Sequence, residues 1–188
     1  MPPRTALFWL SVLATVVFAG ASLGPVIGGG SRGTRPGGGS GAGRTGGLPV
    51  TAGETVRARV VRVVDGDTVH VSASAIQETV RYIGVDTPES VKPNTPVQCY
   101  AKAAGHHNEE LVDGEDVRLV VGEEPRDRYG RLLAYVYRAS DDRFVNADLV
   151  AGGFARTLAI PPNVRHRERF AALADAARQA RRGLWGAC

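Results

Sequence analysis

Short runs of alternating apolar and polar residues recur through the middle of the chain. The first three are VRARVVRVV (56–64), DTVHVSA (67–73) and ETVRYIGV (78–85). Two more, DVRLVV (116–121) and RLLAYVYR (131–138), follow after a gap. Runs of this length and alternation are typical of half-buried β-strands. Five such strands predict a small barrel.

Three other segments show helical spacing or helix-ending signals. Residues 98–114 carry apolar and small residues near a 3.6-residue period, and residues 144–153 end in two glycines. Residues 161–183 begin with prolines and end at Gly183, as a helix with its flanking signals does. Three strands, a helix, two strands and trailing helices predict an α+β fold that is mainly β. The expected architecture is a five-stranded Greek-key barrel of the OB type with about three helices.

The chain begins with a short charged segment followed by a long apolar one. After Arg4, residues 6–18 (ALFWLSVLATVVF) are apolar and the small residues AGA follow, which is typical of an export signal with a cleavage site. No charged residue occurs between Arg4 and Arg32, so the segment is also about long enough to span a bilayer uncleaved. We therefore predict a signal peptide or an N-terminal membrane anchor over residues 1–27. Either alternative predicts an extracytoplasmic protein, secreted or tethered to the cell membrane.

A glycine-rich stretch separates this segment from the predicted barrel. Residues 28–47 (GGGSRGTRPGGGSGAGRTGG) have no apolar periodicity, so residues 28–50 are predicted to be a flexible linker. The remaining residues, 51–188, are enough for one well-buried domain. The formal net charge of +4 favours an anionic partner such as nucleic acid only weakly.

The chain contains two cysteines, Cys99 and Cys188. Their separation does not match a CxxC metal or redox motif. In an exported protein an even pair favours a disulfide, and two unpaired thiols are the alternative.

Acidic residues interrupt the strand pattern at two places. In VVDGDTVHV (63–71), Asp65 and Asp67 flank a glycine, which on its own is an ordinary turn signal. In RYIGVDTPES (81–90), a strand ends in an acidic cluster at Asp86 and Glu89. Antiparallel pairing of neighbouring strands can bring the two places together, and oxygen-rich clusters of this kind bind hard cations, Ca²⁺ above all.

A third stretch, RDRYGRLLAYVY (126–137), is more basic than a turn requires. Arg128 and Arg131 lie on either side of Tyr129-Gly130, and guanidinium groups match the geometry of phosphate. A single arginine here is typical of a solvated surface, but together with Arg81 beside the acidic cluster the pattern favours a phosphate site.

Five motifs carry a family resemblance: VVDGDTV (63–69), RYIGVDTPE (81–89), DRYGRLLAYVY (127–137), VNADLVAGGFAR (145–156) and the arginine-rich C-terminal helix that ends in GLW (183–185). Together they make residues 56–185 similar to the thermonuclease, or staphylococcal nuclease-like, family. The first three motifs, in this order, are highly specific, whereas DGD alone would be weak. The resemblance implies an OB barrel with helices.

The resemblance implies a calcium site made of protein oxygens. Asp67 and Asp86 match the two carboxylate ligands of one Ca²⁺, and the backbone carbonyl of Thr87 completes the protein's share. Asp65 lies nearby and would orient this site through hydrogen bonds or water.

The resemblance also implies the catalytic groups. Glu89 matches the proposed general base, and Arg81 and Arg131 match the two arginines that grip the scissile phosphate. Arg128 and Tyr129 fall where members of the family contact the terminal phosphate and the nucleotide, and they are secondary substrate-binding candidates.

The expected activity is Ca²⁺-dependent hydrolysis of DNA and RNA with low sequence specificity, leaving 3′-phosphates, and no protein partner is indicated. One departure concerns the base: where the best-known member of the family has tyrosines that help form the nucleotide pocket, this chain continues TLAIPPN (157–163).

The alternative function is a noncatalytic OB-fold module that binds nucleic acid, since this fold also serves in binding proteins. Retention of all five of the charged groups argues for catalysis: Asp67, Arg81, Asp86, Glu89 and Arg131.

Overall fold

The computed structural model describes residues 47–90 and 96–188. The predicted signal peptide or anchor, and the predicted linker up to residue 46, lie outside the described residues. In the two described ranges no helix is long and apolar enough to cross a membrane.

Seven strands and four helices occur in the described part of the chain. The strands are β1 (Thr55–Asp65), β2 (Thr68–Ala73), β3 (Ile76–Tyr82), β4 (Gly84–Asp86), β5 (Asp116–Arg126), β6 (Leu132–Arg138) and β7 (Arg156–Leu158). The helices are α1 (Ala101–Val112), α2 (Val145–Ala151), α3 (Arg167–Gln179) and α4 (Leu184–Ala187). Five strands form a closed barrel in the order β1-β2-β3-β6-β5, and the short strands β4 and β7 pair with each other beside it. The predicted five-stranded OB barrel, mainly β, is confirmed.

The barrel closes through a short parallel seam between β3 and β6. Val80 pairs with Leu132 and Tyr82 pairs with Ala134, whereas the other barrel pairings are antiparallel. All four of these side chains are buried in the core. Alternate strand residues face the interior and bury apolar area, which is the main stabilising contribution to the barrel.

The predicted third strand, residues 78–85, is divided in two in the structure. Gly84 has φ of +81°, a conformation that favours glycine, and a side chain there would collide with the ring of Phe170 on α3. The chain therefore turns at Gly84, and β4 leaves the barrel to pair with β7, with Asp86 opposite Arg156. This break displaces the acidic end of the strand from the barrel wall.

The third predicted helix also begins later than its sequence signals indicate. Residues 161–166 are not helical, and within them the buried Asn163 donates to the carbonyl of Glu124 (3.0 Å) and accepts from its N–H (3.1 Å). These bonds tie the segment before α3 to β5, and they compete with continuation of the helix.

The end of the predicted linker that the structure describes packs on the barrel. Leu48 is buried, its N–H donates to Glu78, and its carbonyl accepts from Arg126 at 2.9 Å. Arg126 also forms an ion pair with Glu78 at 2.8 Å. The first described residues are therefore fixed to the barrel by hydrogen bonds involving both backbone groups of Leu48.

Cys99 and Cys188 form a disulfide in the structure, with their Cα atoms 6.0 Å apart. The bond connects the residues just before α1 to the end of α4. Because its sequence separation is 89 residues, the bond restricts a large part of the unfolded chain.

Replacing both cysteines by alanine is expected to lower the free energy of unfolding by about 4 kcal/mol, because the unfolded chain regains loop-closure entropy. Urea unfolding followed by tryptophan fluorescence measures the change. The reduced natural protein is the control and should resemble the Cys99→Ala/Cys188→Ala variant. A loss below about 1 kcal/mol would contradict the expectation.

Candidate active site

The turn between β1 and β2 places a buried carboxylate at one end of the barrel. Asp65 pairs with Thr68, and the side chain of Asp65 accepts the N–H of Asp67 at 3.0 Å. Asp67 itself is only 4% exposed. Gly66 lies against Thr87, and a Cβ there would come within 2.7 Å of the threonine side chain. The glycine of the DGD sequence therefore permits the turn to approach the segment after β4.

Thr87 connects the two acidic stretches. Its backbone N–H and its hydroxyl both donate to Oδ2 of Asp67, at 2.8 and 3.0 Å. Asp86, the preceding residue, is exposed at the end of β4. The structure therefore brings both acidic stretches to one place, with Thr87 between Asp67 and the β4 end.

Arg81 spans the space between the two candidate metal-ligating carboxylates. Its Nε lies 3.1 Å from Oδ1 of Asp67, and its Nη2 donates to Oδ1 of Asp86 at 3.2 Å. Its Nη1 donates to the carbonyls of Tyr82 and Val85, each at 2.9 Å. The three hydrogen bonds and the ion pair with Asp67 hold the guanidinium plane in a defined orientation. The arginine is thus preorganised at the acidic site.

A buried polar pair supports the acidic turn from the side of α1. Asn108 is fully buried, and its amide donates to the carbonyl of Asp65 at 2.9 Å. The hydroxyl of Tyr82 donates to Oδ1 of Asn108 at 3.1 Å, and burial raises the pKa of this tyrosine above its ordinary value. Sequence reasoning missed Asn108, although an asparagine among the small and apolar residues of one helix face was an available signal.

Burial also dominates the electrostatics of Asp67. Burial raises the pKa of the Asp67 carboxyl to about 6, the charge of Arg81 opposes this effect, and the carboxylate of Asp65 adds to it. The charged form of Asp67 is therefore only partly compensated by its protein neighbours. A site of this kind favours an additional positive charge.

The turn between β5 and β6 presents the second predicted arginine. Oδ1 of Asp127 accepts the N–H groups of Tyr129 and Arg131 at 2.9 and 3.0 Å, and Oδ2 accepts Nε of Arg131 at 2.7 Å. Gly130 adopts φ of +81° in this turn. Asp127 was another residue that sequence reasoning missed, and its signal is an aspartate at the first position of a turn.

All six of the predicted metal-ligating and catalytic residues line one polar cleft of about 190 Å³. They are Asp67, Arg81, Asp86, Thr87, Glu89 and Arg131. Within the described ranges, no group of three His, Cys, Asp or Glu side chains is arranged to hold a metal ion. The predicted ligand set has two such side chains and a backbone carbonyl.

A larger cleft of about 470 Å³ adjoins the polar one and shares Arg81 and Arg131 with it. Arg128 and Tyr129 line it, and Tyr129 is 68% exposed. The TLAIPPN segment contributes Leu158 to the same cleft, and Ile160 is a second exposed apolar residue there. Aliphatic groups therefore occupy the segment where the family resemblance leads one to expect tyrosines.

Residues 79–187 match the protein family described as Staphylococcal nuclease homologue. The chain belongs to this family. The resemblance inferred from the sequence motifs is therefore confirmed. The family match begins within β3, so the staphylococcal nuclease assignment rests on residues that follow Asp65 and Asp67.

Individual relatives extend the comparison. The chain is 48% identical over 108 residues to "Thermonuclease" of Staphylococcus intermedius, which covers 57% of this chain and 63% of that protein. It is 40% identical over 127 residues to "Thermonuclease" of Staphylococcus hyicus, covering 68% of this chain and 74% of the relative. "Endonuclease YncB" of Bacillus subtilis is 39% identical over 126 residues, or 66% of this chain and 59% of the relative. The chain thus spans between about three fifths and three quarters of these staphylococcal nuclease relatives.

Proposed function

We propose that the protein is an extracytoplasmic, Ca²⁺-dependent nuclease that hydrolyses phosphodiester bonds of DNA and RNA with low sequence specificity. The products would carry 3′-phosphates. The observation that carries this proposal is the single polar cleft in which two carboxylates, two arginines and Glu89 converge. Relatives named thermonuclease and endonuclease support the same class of reaction.

The donor atoms fit calcium. Asp67, Asp86 and the carbonyl of Thr87 offer oxygen ligands only, which hard cations such as Ca²⁺ prefer. Asp67 is buried with its charge partly uncompensated, so a cation here would stabilise the ionised carboxylate. When bound, Ca²⁺ supplies positive charge that stabilises the negative charge developing on the phosphate.

The remaining groups suit an in-line attack of water on phosphorus. Glu89 accepts a proton from the attacking water at a carboxylate oxygen, so that the new P–O bond forms with hydroxide character. Arg81 and Arg131 donate to the nonbridging oxygens, where negative charge grows in the transition state. The bond from phosphorus to the 5′-oxygen breaks, and this oxygen takes a proton from solvent because an arginine does not release one near neutral pH.

The neighbouring larger cleft supports low sequence specificity. The side chains of Tyr129, Leu158 and Ile160 offer ring and aliphatic surface to a base. Stacking and apolar contact tolerate every base, because each base has a flat π-face. Arg128, which lines the same cleft, is available to a phosphate on the substrate strand.

Two features support a location outside the cytoplasm. The apolar stretch at residues 6–18 has the composition of an export segment or anchor. The disulfide between Cys99 and Cys188 suits an oxidising compartment. A membrane contact follows only if the N-terminal segment is retained.

Cleavage of single-stranded DNA by the purified protein during a Ca²⁺ titration tests the proposal. We expect saturable activity that a chelator lowers by more than about a hundredfold and that Mg²⁺ restores poorly, because the transition state loses its cation. Asp86→Asn should require more Ca²⁺ for half-maximal activity. Asp175→Asn, on the exposed surface of α3, is the matched control and should titrate normally. Tight DNA binding without cleavage across the titration would instead favour the noncatalytic binding module.

A further inference from the structure

Gln98 holds the backbone of Glu89 from both sides. The side-chain oxygen Oε1 of Gln98 accepts the N–H of Glu89 at 2.9 Å. The backbone N–H of Gln98 donates to the carbonyl of Glu89, also at 2.9 Å. One residue therefore satisfies both backbone groups of Glu89, and these two bonds fix the backbone of Glu89 relative to Gln98.

The chain just before Glu89 is also anchored. Thr87, two residues earlier, donates twice to Asp67, and the intervening Pro88 restricts the backbone between them. Glu89 is thus suspended between Asp67, through Thr87, and Gln98. Gln98 does not line the polar cleft that contains the candidate metal ligands.

Gln98 is itself fixed at two points. Its carbonyl accepts the N–H of Ala101, the first residue of α1, at 3.1 Å. Its neighbour Cys99 is bonded to Cys188, which follows α4. The N–H of Cys188 donates to the carbonyl of Leu184 at 3.1 Å. Leu184 is the buried first residue of α4, and its own N–H donates to the carbonyl of Gly153 at 2.9 Å. The disulfide therefore connects Gln98 to the packed C-terminal part of the domain.

We infer that Gln98 is a positioning residue for Glu89, and that the Cys99–Cys188 disulfide sets the position of Gln98. The inference rests on the proposed role of Glu89 in hydrolysis. It assigns to the disulfide an effect on turnover that is separate from its effect on stability. A displacement of about 1 Å in a catalytic group is enough to lower a rate by about a hundredfold, so a two-bond attachment can be decisive.

Gln98→Met tests the side-chain contact, because methionine has nearly the same length and lacks the oxygen acceptor. We expect kcat to fall by about ten- to a hundredfold, with KM, the Ca²⁺ half-saturation and the thermal midpoint nearly unchanged. Gln98→Glu retains an oxygen acceptor and should restore most of the rate. Gln179→Met, at an exposed position of α3, is the matched control. Unchanged kcat in Gln98→Met would overturn the inference.

The same contact can be measured without turnover. Hydrogen exchange of the Glu89 amide should accelerate in Gln98→Met and in the Cys99→Ala/Cys188→Ala variant, because the amide loses a well-placed acceptor. If the natural protein proves inactive, the proposed function fails, and this exchange measurement still decides whether Gln98 holds Glu89. Unchanged exchange in both variants would overturn the positioning role.

A double-mutant cycle separates positioning from general loosening of the site. If Gln98 acts through Glu89, adding Gln98→Met to Glu89→Gln should cause no further loss of kcat. The Cys99→Ala/Cys188→Ala variant should likewise lower kcat. Combining it with Gln98→Met should cause a smaller loss than the product of the two separate losses. Multiplicative losses in either combination would show that these residues act independently, and would overturn the inference.

Discussion

Glu89→Gln is expected to lower kcat by between about a hundred- and ten-thousandfold, because glutamine cannot accept the proton of the attacking water. The amide keeps nearly the same shape, and the backbone bonds to Gln98 do not involve the substituted atoms. We therefore expect the Ca²⁺ half-saturation and the thermal midpoint to remain close to those of the natural protein. Steady-state cleavage of single-stranded DNA at saturating Ca²⁺ measures the loss.

Glu168→Gln is the matched control for this experiment. Glu168 is exposed in the first turn of α3 and does not line the polar cleft. The same change of charge at this position should leave kcat within about twofold, since exposed charges contribute little. Equal activity of Glu89→Gln and Glu168→Gln would remove Glu89 from the mechanism.

Arg131→Ala is expected to lower kcat by about a hundred- to a thousandfold, the usual cost of losing one donor to an oxyanion in the transition state. The side chain forms an ion pair with Asp127 and is partly exposed. Such a pair is worth at most about 1 kcal/mol, so the thermal midpoint should change little. Single-turnover kinetics separate the chemical step from substrate binding.

Arg128→Ala removes the same charge from the same turn and provides the comparison. Arg128 contacts the hydroxyl of Tyr129 at 2.6 Å and lines only the larger cleft. Its loss should raise KM and reduce the dependence of binding on salt while kcat stays nearly constant. If the two alanine variants had the same kinetic profile, Arg131 would be an ordinary contact to the nucleic-acid backbone.

The barrel was predictable because its interior is periodic in the sequence. Alternate residues such as Val69 and Val71 on β2 are buried, and strand alternation alone identifies them. The division of the third strand at Gly84 was not predictable in the same way. It depends on the Phe170 ring from α3 and on pairing between two three-residue strands, and neither leaves a local pattern.

The charged residues of the site could be named from the motifs, whereas the residues that hold them could not. Asn108 on α1 matters because it contacts Asp65 at the end of β1, and Gln98 matters because it contacts Glu89 within the connection between β4 and α1. Asp127 is an exception, since its turn signal is local. Neither the Asn108 contact nor the Gln98 contact has a periodic or turn signal in the sequence, so these polar residues are recognised only once the fold is known.

The parallel seam between β3 and β6 links closure of the barrel to formation of the polar cleft. Arg81 lies on β3 and Arg131 immediately precedes β6, so the two guanidinium groups share a cleft only after this seam has formed. The antiparallel hairpins on either side of the seam use closer positions in the chain and have less entropy to overcome. During refolding, the hairpins should therefore form before Arg81 and Arg131 come together in the cleft. High affinity for a phosphate-bearing inhibitor should return when the barrel closes, and not when secondary structure first forms.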